Sequence, residues 1–122
     1  MTSMLRAIRG ATTVDADRED EVYARTQELV KEMLARNDVS SDDLVSMIFT
    51  ATSDISSAFP ATGARALGLD DVPLLGAAEA SIDGALKRCI RVMIHCYSDR
   101  ARAEIRHVYL NGAEVLRSDL SD

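Results

Sequence analysis

The chain has 122 residues, a formal net charge of −6, 47% hydrophobic and 28% charged residues, which is the size and composition of one globular domain. The acidic balance argues against nucleic acid as a main partner, because phosphate binding needs a basic face, and no apolar run approaches the roughly 18 residues of a membrane span. The first nine residues hold no apolar targeting core, so a cytoplasmic setting without a secretion signal is expected.

The predicted elements alternate between strand and helix, as in a mixed α/β domain. Residues 5–11 form a first strand, with Leu5, Ala7 and Arg9 on one face and Arg6, Ile8 and Gly10 on the other. Asp15, Asp17, Glu19, Asp20 and Glu21 gather before a helix that runs to about Arg36, where acids suit the orphan N–H groups and the dipole. Val22, Thr26, Leu29, Val30, Met33 and Leu34 make its buried stripe, and Asn37 is its stop. Ser40 to Asp43 caps a short helical turn. Residues 44–51 are nearly all apolar, as in a strand covered on both faces.

Residues 52–57 are a polar loop, and Pro60 suits the first turn of a short helix that Gly68 ends. Residues 72–78 form a third strand containing Gly76, a residue that in a strand often marks close approach by a ligand or backbone. Residues 87–97 form a fourth strand. One face carries Arg88, Ile90, Val92, Ile94 and Cys96, the other Lys87, Cys89, Arg91, Met93, His95 and Tyr97. Residues 106–110 form a short last strand, followed by an Asn111-Gly112 turn and a polar tail, 118–122, expected to be mobile.

Candidate chemistry is sparse. Cys89 and Cys96 lie seven apart, on opposite faces of one strand, and read as buried small hydrophobes. His95 and His107 are the only histidines, so no metal site is expected and both read as structural. There is no G-x-S-x-G elbow, phosphate loop or dinucleotide fingerprint. Lys31 and Lys87 are the only lysines among 14 basic residues, so a single arginine is weak testimony.

Arg91 nevertheless stands out mid-strand between Cys89 and Met93, because a guanidinium there needs an anionic partner, either an internal carboxylate or a ligand. Arg9 is either a solvated strand end or a second anion clamp. Glu79 accepts a ligand hydroxyl or pairs with Arg91. Tyr109 donates to a carboxylate or sits in the core. Arg65 reads as a surface residue on a helix, and Phe59 as a hydrophobic staple before it. Such a set positions and polarises a small anionic molecule without forming a covalent bond to it.

Five stretches carry a resemblance in collinear order. They are Arg-Gly-Ala-Thr-Thr at 9–13, Phe-Pro-Ala at 59–61, Lys-Arg-Cys-Ile-Arg-Val-Met at 87–93, Arg-His-Val-Tyr-Leu at 106–110 and Val-Leu-Arg-Ser-Asp-Leu at 115–120. Together they resemble the monofunctional chorismate mutases of the trimeric α/β-barrel class over residues 5–120. The resemblance implies a single α+β domain over 1–122, ferredoxin-like and building a pseudo α/β-barrel as a homotrimer with active sites between subunits. It implies conversion of chorismate to prephenate, on the way to phenylalanine and tyrosine, with no metal and no cofactor.

By position, Arg91 would face the breaking ether oxygen and a carboxylate, Arg9 would hold a carboxylate, Tyr109 would donate to a carboxylate, and Glu79 would accept from the ring hydroxyl. Leu74, Leu75 and Gly76 would line the pocket, with Leu116 closing over it and Arg117 capturing substrate. Phe59, Ala61, Thr62 and Arg65 would come from the adjacent subunit. Gly76 stands where the family commonly has cysteine, and Thr62 where it commonly has lysine. The alternative is a non-catalytic trimeric module that binds a dicarboxylate.

Overall fold

The computed structural model describes residues 3–120, apart from the side chains of 118–120. Five strands form one mixed sheet: β1 (Met4–Thr13), β2 (Leu44–Ala51), β3 (Leu74–Ala78), β4 (Cys89–Ser98) and β5 (Val108–Tyr109), in the order β3-β2-β4-β1-β5. Strand β4 runs antiparallel to both β1 and β2, while β3 and β5 run parallel to β2 and β1.

Two helices, α1 (Glu19–Arg36) and α2 (Pro60–Arg65), contribute to a single apolar core with one face of this sheet. Helix α1 sets Val22, Thr26, Leu29, Val30 and Met33 at helical spacing and buries all of them. They meet Ile8, Met47, Phe49, Val92 and Ile94, the alternate residues of the three central strands. Full burial of each such aliphatic or aromatic side chain contributes roughly 1.5–3 kcal/mol relative to exposure. The contact is close enough that a Cβ at two glycines would push a neighbour aside. A Cβ on Gly10 would lie 2.4 Å from Met33 Sδ, and one on Gly63 would lie 3.0 Å from the Tyr23 backbone.

The helix ends differ from expectation in their partners. Arg18, the residue before α1, makes no side-chain cap. Glu21 instead reaches back to the N–H groups of Asp15 and Ala16, and Asp17 accepts from the N–H groups of Ser56 and Ser57 and the Ser56 hydroxyl. The Ser57 hydroxyl first, and these Ser56 and Ser57 donors with it, lower the Asp17 pKa from an ordinary 3.8 to about 2. At the other end Asn37 is the stop expected of it. Buried, it donates to the Met33 and Arg106 carbonyls and accepts from the Arg106 N–H, each at 2.8 Å.

Several boundaries move for local reasons. Strand β1 extends to Thr13 because Thr12 and Thr13 pair with Ile90 and Cys89. Strand β3 starts at Leu74, after Pro73, whose nitrogen cannot join a ladder but whose carbonyl accepts from Met47. Strand β4 starts only after Arg88, which takes a left-handed φ of 48° and donates its N–H to Asp54. Strand β5 is two residues, and Asn111 opens a 3-10 segment, Asn111–Leu120, rather than a hairpin turn. Residues 121–122 and the side chains of 118–120, where the mobile tail was expected, lie outside the described residues.

One expectation fails at the level of layers. Strand β2 is not covered on both faces: Met47 and Phe49 are buried, while Ser46, Ile48 and Thr50 are only half-buried. Among the described residues of one chain, the second face of the sheet lacks a full layer and is roofed at its β5 end, where Ala11, Cys89, Tyr109 and Ala113 form a small separate cluster with Leu116 against it.

Candidate active site

The open face of the sheet carries the site, and strand register builds it. Ala77, Thr50, Arg91, Ala11 and Tyr109 are successive cross-strand partners, so they form one row that spans all five strands. Directly opposed residues share a face, which puts all five side chains on the side away from α1. The next row on that face holds Leu75, Ile48, Met93 and Arg9. Arg9 is therefore a diagonal neighbour of Arg91, at a spacing that long side chains bridge. Ala11 contributes only a methyl between Arg91 and Tyr109, which leaves a hollow in the row.

That hollow is a cleft of about 400 Å³, lined by Arg9, Ala11, Ile48, Thr50, Arg91, Val92, Met93, His95, Tyr109 and Leu116 among others. Its floor is mostly apolar and its charge comes from the two arginines. The Arg91 Nε is buried and lies 3.3 Å from Glu79 Oε2, with no aligned hydrogen bond among the described residues. The Arg91 side chain is still 42% exposed, so part of it beyond the buried Nε remains open to a ligand. Arg9 forms no ion pair among the described residues, and its backbone N–H donates to His107 Nδ1 at 3.0 Å. A chain of net charge −6 thus gathers two guanidiniums beside a single carboxylate, Glu79, which leaves net positive charge in one cleft and suits an anionic ligand.

Glu79 follows β3, and its N–H donates to the Ala51 carbonyl at 3.0 Å. Its carboxylate turns back over the row, where Oε2 accepts the Thr50 hydroxyl at 2.6 Å. Tyr109 is 7% exposed and packs with Ala11 and Cys89 while lining the cleft. Burial pushes both the Cys89 and the Cys96 thiols up, which makes each a poor nucleophile at neutral pH.

The structure brings Arg9, Arg91, Glu79, Tyr109 and Leu116 to one place. Arg117 is exposed in the segment after Leu116 and lines a separate arginine-rich groove with Arg106 and His107. Leu75 shares the open face and is 63% exposed, but Leu74 turns to the helix side and packs against the core. Gly76 pairs with Phe49 and lines a different groove that also contains Phe59. Phe59 is not a buried staple but 77% exposed. Ala61, Thr62 and Arg65 lie on α2, and none of them lines the cleft of their own chain. Two polar cleft residues escaped sequence reasoning. Thr50 was hidden in an apolar run, and His95, read as structural, holds Ser46 at 3.2 Å while facing the cleft.

No group of His, Cys, Asp and Glu able to hold a metal occurs among the described residues. Among them, too, no helix is long and apolar enough to cross a membrane.

The chain also matches known proteins over nearly its whole length. The family model for chorismate mutase type I matches residues 5–120. Chorismate mutase AroH of Bacillus subtilis (strain 168) is 43% identical over 119 residues, 97% of this chain and 94% of that protein. Chorismate mutase AroH of Thermus thermophilus is 45% identical over 118 residues, 96% of this chain and 97% of that protein. The solved chorismate mutase from Clostridium thermocellum superposes with a TM-score of 0.88 at 49% identity, covering 89% of this chain and 97% of that one. Matched over nearly its whole length by this family model and by such relatives, this single α+β domain belongs to the type I chorismate mutases.

Proposed function

We propose that the Arg9–Arg91 cleft binds chorismate and rearranges it to prephenate in one intramolecular Claisen step. The observation that carries this is the row holding Arg91 between Thr50 and Ala11, with Arg9 one diagonal away and Glu79 alongside. Two cations suit the two carboxylates of the substrate, and the carboxylate beside Arg91 suits its ring hydroxyl.

The chemistry follows from charge development. The ether bond stretches before the new carbon–carbon bond is complete, so negative charge gathers on the ether oxygen. A fixed guanidinium there binds the transition state better than the substrate, and that difference lowers the barrier. Arg9 and Tyr109 hold the flexible enolpyruvyl arm in its compact, reactive shape. Electrons move within one molecule, so the step uses no nucleophile on the protein.

The functional unit is a homotrimer in which Phe59, Ala61, Thr62 and Arg65 of one subunit complete the cleft of the next, and Leu116 and Arg117 close it. Exposure supports this. Phe59 at 77%, Val115 at 67% and Leu75 at 63% exposed are large apolar side chains that gain by being covered. A cytoplasmic setting agrees with two free cysteines.

Purified protein should consume chorismate, followed by loss of its ultraviolet absorbance with prephenate as product, and should sediment at three chain masses. Absence of turnover with tight chorismate binding would leave the non-catalytic dicarboxylate module as the reading. Absence of both would end it.

A further inference from the structure

We infer that Thr50 is a positioning residue that holds Glu79 off the Arg91 guanidinium fork, an inference that rests on the chorismate reading. Thr50 is the cross-strand partner of Arg91, half-buried, and lines the cleft. Its hydroxyl has a single proton to donate, and Glu79 Oε2 receives it at 2.6 Å. The same oxygen lies 3.3 Å from Arg91 Nε, which is buried and makes no aligned hydrogen bond among the described residues. Oε2 is thus committed to the protein, and Oε1 is left to accept a hydroxyl from a ligand.

An arginine and a carboxylate this close ordinarily settle into a two-point, fork-to-fork pair, which is shorter and stronger than a single contact. Glu79 and Arg91 do not: their closest approach is 3.3 Å at Nε, and no hydrogen bond joins them among the described residues. The Thr50 hydroxyl prevents the collapse, because it anchors the shared oxygen from the side. A collapsed pair would consume Oε1 and neutralise the cation that the developing charge on the ether oxygen requires. Both losses act on the transition state, so they reach kcat before KM.

Thr50→Val keeps the branched shape and strand preference and removes only the donor. Thr50→Ser keeps the donor and removes a methyl. The expected result with chorismate is a fall in kcat of roughly 10- to 100-fold for Thr50→Val, the range for a lost hydrogen bond to a charged group, with KM changed less than about threefold. Thr50→Ser should recover most of that loss. In a Glu79→Ala background, Thr50→Val should add less than about twofold, since the group it positions is gone. Thr50→Ala, read alongside with a thermal melt, serves in the same cycle if the valine variant does not fold.

Thr50→Val within twofold of wild type, or losses in Thr50→Val and Glu79→Ala that simply multiply, would overturn the inference while the chorismate reading stands. A wild-type protein that never turns over chorismate overturns both.

Discussion

The two faces of the sheet are made by the same strands and differ in nearly everything else. On the helix side, Ile8, Phe49, Val92, Ile94 and Cys96 are 0–3% exposed and share one apolar core with α1. On the other side, Arg9, Thr50, Arg91 and His95 stand one residue along from them, half-buried or exposed, around a cleft. Alternation separates the two tasks residue by residue. The covered face has the energy to hold strand register, and register is what aligns Thr50, Arg91, Ala11 and Tyr109 in one row. The open face can then carry charges that a core could not bury without partners.

This contrast makes face-specific predictions. The largest effect belongs to Arg91→Ala: kcat should fall about 10²–10³-fold, or roughly 3–4 kcal/mol, while the melting temperature moves little. Arg91→Lys should recover little, because an ammonium lacks the planar fork. Near-wild-type turnover in Arg91→Ala would break the assignment of the open face to catalysis. The mirror experiment is Phe49→Ala, one strand residue away from Thr50. It should lower unfolding free energy by about 3–5 kcal/mol in denaturant titration, with KM for chorismate unchanged in the protein that remains folded.

A smaller effect is expected at the closest helix–sheet contact. Gly10→Ala places a Cβ 2.4 Å from Met33 Sδ, and Met33 is itself fully buried, so about 1–3 kcal/mol of stability should be lost. If stability rises instead, the packing of α1 on β1 is looser than its geometry implies. Arg117→Ala should raise KM by a few-fold and leave kcat nearly intact, since an exposed charge contributes on the order of 1 kcal/mol or less.

The smallest effect is in acid. Asp17 is lowered to about 2 by its serine donors, so its ionised form is favoured in the folded chain. Its contribution is complete above the ordinary carboxylate value of 3.8 and fades as pH falls toward about 2. Asp17→Asn should therefore flatten the acid limb of a stability–pH curve in that window. An unchanged limb would show that the clamp on residues 56–57 adds nothing.

Much of the fold was legible in residue spacing. The α1 stripe, the alternation in β4 and the Asn37 stop follow from periods of 3.6 and 2 and from capping chemistry, which act within one element. The misreadings lie where two distant segments meet. Residues 44–51 read as doubly covered because apolar content does not reveal whether a second layer exists. Phe59 read as a staple because local patterning cannot show a side chain left 77% exposed. Thr50 was missed because its importance comes from its partner Arg91, 41 positions along the chain, and from the hydroxyl contact to Glu79.

Residue identity and spacing already show which residues can bear charge and which can be buried, and five collinear stretches show which family to expect. Those are properties of composition, spacing and motif. Tertiary structure alone decided that Arg9 and Arg91 are diagonal neighbours, that a methyl at Ala11 leaves the hollow between Arg91 and Tyr109, and that Thr50 and Arg91 share one oxygen of Glu79. Strand order and register bring those residues together, and both are set by the burial of the opposite face, which no local stretch of chain encodes.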